Sequence, residues 1–155
     1  MNALHWKLVL DAADPHAQAT FWAGALRYRE EDHSGLVRRL LDLGAAPLEA
    51  TATVHGGTER ERLGWRDLAA VRHPDDPYDE ATDTGRGRRI LFQRVPEPKT
   101  AKNRLHLDLH TEEGTRDEEV ARLRGLGATV LREVDEPSGS WVVLADPEGN
   151  EFCVQ

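Results

Sequence analysis

The sequence predicts an α+β protein built from one β-α-β-β-β unit used twice. Three observations carry that prediction. Two strands of alternating character, one around His5 and one around His106, each put polar side chains on one face and large apolar side chains on the other. Each strand is followed by a helix with a recognisable start. Each half then ends in an apolar strand that closes the unit.

Side chains alternate along a strand with a period of two. In Leu4-His5-Trp6-Lys7-Leu8-Val9-Leu10, His5, Lys7 and Val9 fall on one face and Leu4, Trp6, Leu8 and Leu10 on the other. Asp14-Pro15 then offers an N-cap and a proline at the first helical position. Ala17, Phe21, Trp22, Ala25 and Leu26 follow as an apolar stripe at helical spacing. Trp6 and Trp22 are expected in the core, packing strand on helix. Residues 34–44 read as an additional amphipathic helix, with Ser34 as cap and Gly44 as stop. Residues 51–54 suggest a short strand before a Gly56-Gly57 turn. Trp65 either begins the next strand or walls a cavity. Residues 67–71 and 90–95 supply the remaining strands of the first unit. Between them lies a polar loop, 77–89, of a length usually tied to function or motion. His16, His33, His55 and His73 fall near caps, loops and turns, and are expected to be solvated.

The proline-containing segment 96–103 reads as an extended linker. It separates a first module, 1–95, from a second, 104–155. In the second module Leu105, Leu107 and Leu109 share one strand face, and His106, Asp108 and His110 share the other. Two imidazoles and a carboxylate are costly inside an apolar core, so that face is expected to line a polar cavity. Thr115-Arg116-Asp117-Glu118 fits a capping box. Val120, Leu123 and Leu126 continue the helix at spacing three, and Gly127 is its stop. Residues 141–144 form a buried strand, Asp146-Pro147-Glu148-Gly149-Asn150 a turn by composition, and 151–154 the last strand.

Composition narrows the function. A chain of 155 residues makes one domain, or two small modules sharing a core. A net charge of −8 argues against a nucleic-acid partner. No apolar run approaches the roughly 20 residues of a membrane span, and His5, Lys7 and Asp11 interrupt any signal-peptide pattern. The single cysteine, Cys153, excludes an intrachain disulfide and points to the reducing cytoplasm. No Ser-His-Asp, CxxC or Walker pattern is present.

The segments LHWKLVLDAADPHAQATFWAGAL, LFQRVPEPKTAKNRLHLDLH and DPEGNEFCV resemble the vicinal oxygen chelate superfamily. Within it they are most similar to the glyoxalase-like proteins of the glyoxalase/bleomycin-resistance/dioxygenase type. The likeness covers residues 1–26 and 66–155, with 27–65 as an insertion. Arg27 stands where such proteins commonly carry a glycine after the first helix. The resemblance implies that the sheet of each βαβββ module is curved into a cup and that the two sheets surround a shared cavity. It also implies a small-molecule ligand and a homodimer. By position it assigns metal ligands to His5, His106 and Glu151, with Gln93 as a further candidate on the cavity face.

Two histidines and one carboxylate suit a divalent ion such as Fe, Mn, Ni or Zn, and leave positions open for a chelating substrate. Such an ion acts as a Lewis acid towards vicinal oxygens. Asp108 and His110 share the face of His106 and are the candidate proton carriers. Lys7, Gln93, Trp65, Trp141 and Cys153 are the candidate ligand contacts. Cys153 shares the Glu151 face and reads as a buried, inert thiol, because nothing nearby in sequence lowers its pKa. Two functions compete: a metal-dependent lyase, isomerase or dioxygenase, and a metal-free protein that sequesters an antibiotic or metabolite as bleomycin-resistance proteins do.

Overall fold

The computed structural model describes residue 4 and residues 6–155. His5, a sequence-predicted metal ligand, lies outside the described residues. In chain order the elements are β1 (Leu8–Ala12), α1 (Pro15–Leu26), β2 (Arg29–Glu30), α2 (Ser34–Asp42), β3 (Thr51–Val54), β4 (Arg62–Trp65), β5 (Leu68–Arg72), β6 (Tyr78–Asp79), β7 (Thr84–Gly85), β8 (Arg89–Arg94), β9 (Asp108–Leu109), α3 (Arg116–Leu126), β10 (Thr129–Glu136), β11 (Gly139–Ala145) and β12 (Glu151–Val154). The protein is therefore mixed α+β, with several open sheets. No helix among the described residues is long and apolar enough to cross a membrane.

The chain divides into two compact units, Met1–Pro96 and Glu97–Gln155. The first holds a sheet of order β1-β8-β5-β2 and the second a sheet of order β10-β11-β12-β9. Reversing the second order gives β9-β12-β11-β10, so the two units share one topology. In each, the first strand runs parallel to the last, β1 to β8 and β9 to β12. In each, the remaining pairings are antiparallel. The β-α-β-β-β repeat read from the sequence is present in both.

Local chemistry explains the first unit. Asp14 caps α1, its carboxylate accepting from the backbone N–H groups of His16 and Ala17 at 3.1 Å each, and Pro15 fills the first turn. Trp22 and Ala25 are each 2 % exposed and anchor the helix, which packs on β5 and β8. Arg27 ends the helix in the left-handed region, φ 55°, the conformation for which glycine is favoured. Along β8 the parity is as read: Ile90 and Phe92 are buried, whereas Gln93 is exposed.

Four expectations are corrected here. The first strand begins at Leu8, not Leu4, because its partner β8 begins at Arg89 and Leu8 already pairs with Ile90. Trp6 precedes the ladder and is 87 % exposed, outside the core. Ser34 is the first helical residue of α2 rather than its cap, and the carboxylate of Asp32 accepts its N–H at 2.9 Å. The Thr115 box does not form either: its hydroxyl donates to the Glu112 carbonyl, and its side chain makes no cap hydrogen bond.

The second unit is closed by a tight turn. Asp146 Oδ1 accepts from the N–H groups of Glu148 and Asn150, and Asn150 Nδ2 donates to Asp146 Oδ2, each at 2.9 Å. Gly149 adopts φ 88° to complete it. The turn launches β12, whose Phe152 and Val154 are fully buried. Regular strand geometry in β9 covers only two residues, and Leu105 is 81 % exposed. Backbone pairing continues on either side, from Cys153 N–H to the Leu107 carbonyl at 2.9 Å and from Thr111 N–H to the Gln155 carbonyl at 2.8 Å.

Candidate functional site

The parallel pairing of β9 and β12 places Asp108 opposite Cys153. His106 precedes Asp108 by two positions and shares its face. Lateral and along-strand neighbours thus converge. One donor atom each from His106, Asp108 and Cys153 lies within 4.8 Å of the other two. His106 Nε2 stands 3.3 Å from Asp108 Oδ1. The side chains of His106 and Asp108 are 43 % and 46 % exposed, so the cluster is open to solvent. The Cys153 thiol behind them is almost covered. Burial, the Asp108 charge and a hydrogen bond to Asp108 push that thiol up from its ordinary pKa. Lys102 and Arg132 are near enough to act on it in the opposite direction.

The cluster offers nitrogen, oxygen and sulfur to one point. That donor set fits a divalent transition ion. It differs from the set assigned by position in the sequence. Glu151 shares the face of Cys153, two residues earlier on β12. Its carboxylate accepts from Asn103 N–H at 3.0 Å and stands 3.3 Å from Lys99 Nζ. Burial pushes the Glu151 carboxyl up, but those two bonds outweigh it and leave the group below its usual range. His110 is exposed on the same side of the strand as His106. Trp141 is half-buried on β11, opposite Val134. In the first unit, Lys7 and Gln93 are exposed, Gln93 lying opposite Asp11 and Leu68.

Trp65 lines a hollow within the first unit, together with His16, Glu30, Glu31, His33 and Arg62 among others. Its volume of about 20 Å³ is room for a single water. Around it lies a charge network that the sequence reading missed. Glu31 is wholly buried. It accepts two hydrogen bonds from Arg89, at 2.6 and 2.7 Å, and one from Gly85 N–H at 2.8 Å, and it pairs with His33 Nε2 at 2.9 Å. Glu30 meets His55 Nε2 at 2.7 Å, Arg60 at 2.8 Å and Arg62 at 3.2 Å. Burial alone pushes both carboxyls up, yet these partners overcome it and bring each down to about 2. His33 and His55 are therefore not solvated as expected, and His16 bonds the Trp65 carbonyl at 2.7 Å. The loop 77–89 is strapped down by the same chemistry: Arg72 binds Asp83 at 2.7 Å and lies 3.8 Å above the Tyr78 ring. Every cation and anion of the hollow is already paired, so this network reads as architecture that fastens the insertion to the sheet.

Comparison with known proteins places the fold. No curated protein sequence matches the chain. Among solved structures it is similar to the fosfomycin resistance protein FosX from Mesorhizobium loti, with TM-score 0.59, 10 % identity, and coverage of 100 % of this chain and 92 % of that one. A FosX variant from Listeria monocytogenes, complexed with Mn(II) and a dihydroxypropylphosphonic acid, gives TM-score 0.58 at 11 % identity, covering 100 % of this chain and 90 % of that one. The bleomycin-binding protein of Streptomyces verticillus, complexed with copper(II)-bleomycin, gives TM-score 0.51 at 18 % identity, covering 100 % and 97 %. These likenesses concern the fold. The model of the glyoxalase-like domain family matches residues 7–155, nearly the whole chain. With the repeated βαβββ topology, the match means that the chain belongs to the glyoxalase-like domain family, within the vicinal oxygen chelate superfamily.

Proposed function

We propose that this protein binds a small oxygen-rich molecule at the open cluster of His106, Asp108 and Cys153, through a divalent ion held there. The observation that carries the reading is the convergence of three different donor atoms within 4.8 Å on a hydrogen-bonded pair of strands. Bound at that point, a divalent ion supplies Lewis-acid polarisation of a ligand oxygen. His106 presents its Nε2 from a strand edge with nearly half of its side chain in solvent, so a ligand can approach. With His106 Nε2 and an Asp108 oxygen given to the ion, His110, on the same face, is the candidate to take a proton from the ligand, and the second Asp108 oxygen is the alternative. Lys102 and Arg132 favour an anionic ligand beside the ion. Glu151, already held by Asn103 and Lys99, is not needed as a donor in this reading, and Trp141, on the neighbouring strand β11, is a candidate ligand contact. The reaction class in this reading is that of a lyase, isomerase or dioxygenase acting on vicinal oxygens. It carries with it a homodimer in the cytoplasm, with no nucleic acid as partner.

A second reading is favoured by one observation. His106 Nε2 and Asp108 Oδ1 stand 3.3 Å apart, close enough to pair directly with each other, as they would in a metal-free binding protein of the bleomycin-binding kind. Melting curves with fosfomycin, a dihydroxypropylphosphonic acid and bleomycin, each with added divalent ion and with chelator, separate the two. The first reading expects a rise in Tm that needs the ion and disappears in His106→Ala. A chelator-insensitive shift with bleomycin supports the second. No shift with any compound under either condition removes both.

A further inference from the structure

We infer that Cys153 is a metal-binding thiol, and that His106, Asp108 and Cys153 together make a thiophilic site that takes Zn(II) in preference to Mn(II). The inference rests on the reading of this cluster as a metal site and adds which ion it selects. The sequence treats Cys153 as inert. Its place in the sheet gives it a different character.

Cys153 and Asp108 are lateral neighbours in a parallel ladder, fixed by Cys153 N–H donating to the Leu107 carbonyl at 2.9 Å. The backbone on both sides of the thiol is therefore held, and the thiol faces the carboxylate and imidazole of the adjacent strand. Soft thiolate donors select Zn(II) and its relatives, whereas Mn(II) and Mg(II) prefer sites made of oxygen. One nitrogen, one oxygen and one sulfur are three of the four ligands of a tetrahedral zinc, and the fourth position stays open to water or to a ligand oxygen. On binding, the Sγ–H bond is exchanged for a bond from Sγ to the ion, the proton passes to the solvent, and no oxidation takes place. The bland alternative is a surface ion pair between His106 and Asp108 beside a buried thiol.

The test uses the full chain, freed of metal by chelator and dialysis, and the ions Zn(II), Mn(II) and Co(II) alone. One Zn(II) is expected per chain, bound at least about a hundredfold more tightly than Mn(II). Co(II) is expected to give a near-ultraviolet thiolate-to-cobalt charge-transfer band. Cys153→Ser should lose that band and most of the preference for zinc. Because Cys153 is buried, the solvent-exposed His106→Ala serves as a second variant that leaves the interior untouched, and it should weaken Zn(II) binding at least about tenfold. If Zn(II) and Mn(II) bind equally and Co(II) gives no thiolate band, thiol ligation is overturned while the metal reading stands. If Zn(II) binds tightly but His106→Ala is without effect, the ion sits elsewhere and the inference fails. If the folded wild-type chain binds no ion, both readings fall.

Discussion

Glu31 and Arg89 are 58 positions apart in the chain and meet in two parallel hydrogen bonds, Nε to Oε1 at 2.6 Å and Nη2 to Oε2 at 2.7 Å. The contact joins the segment just after β2 to the start of β8, across the intervening β5. Both side chains are nearly free of solvent, at 0 % and 8 % exposure. A bidentate pair in such a place is strong only while both partners are present. Glu31→Gln or Arg89→Met alone is expected to cost about 3–5 kcal/mol, as is usual when a buried ion pair loses one member. The two changes together should cost less than the sum. Urea denaturation checks this, and single variants within about 1 kcal/mol of wild type would be inconsistent with a buried pair.

The same network sets an acid limit. Glu30 and Glu31 are lowered in the folded state to about 2 from an ordinary 4.5. A carboxyl with a depressed folded pKa binds protons more readily when unfolded. Its contribution is complete above the unfolded pKa and is lost as pH falls towards the folded one. Stability is therefore expected to drop between about pH 4.5 and pH 2. Unfolding midpoints measured across that range should fall steeply in wild type and less steeply in Glu30→Gln. Parallel slopes would mean that Glu30 titrates alike in both states.

Gly64 pairs with Ala52 across the β3–β4 hairpin, and a Cβ on it would lie 2.6 Å from Cγ2 of its diagonal neighbour Val54. Val54 is β-branched and 4 % exposed, so it has little freedom to yield. Gly64→Ala should destabilise by about 1–3 kcal/mol, the usual range for overpacking. The pair Gly64→Ala with Val54→Ala should recover part of that loss. Thermal melts of the two variants decide it.

Gln18 lies on the buried face of α1 at 1 % exposure, and neither its amide nitrogen nor its oxygen has a hydrogen-bond partner. An unmade hydrogen bond in the interior costs about 1–3 kcal/mol. Gln18→Met keeps the length and removes the polar atoms. It should raise stability by about 1–2 kcal/mol, read as a higher urea midpoint with an unchanged slope. A lower midpoint would show that the amide is satisfied in solution.

How much of this was legible from the sequence depended on distance along the chain. The Asp14-Pro15 cap and the Asp146–Asn150 turn involve residues within four positions of each other, and both form as read. The repeat was legible because strand parity and helix starts are local patterns, and both sheets carry them in the same order. The Glu30 and Glu31 network was not, since its partners lie between 2 and 58 positions away and only the folded insertion joins them. At the candidate site, parity put His106 with Asp108 and Cys153 with Glu151. Which residue of β12 stands beside Asp108 depends on the register between two strands, and that register favours Cys153. Trp6 illustrates the opposite failure: the expected alternation extends past the end of the ladder, where the partner strand begins too late to cover it.

The most direct measurement is anomalous diffraction at the zinc edge from crystals of the full chain equilibrated with Zn(II). The account predicts one strong peak at about 2.3 Å from Cys153 Sγ and about 2.0–2.2 Å from His106 Nε2 and an Asp108 oxygen. A peak elsewhere, or none at the cluster while His106 and Asp108 keep their mutual contact, would contradict it.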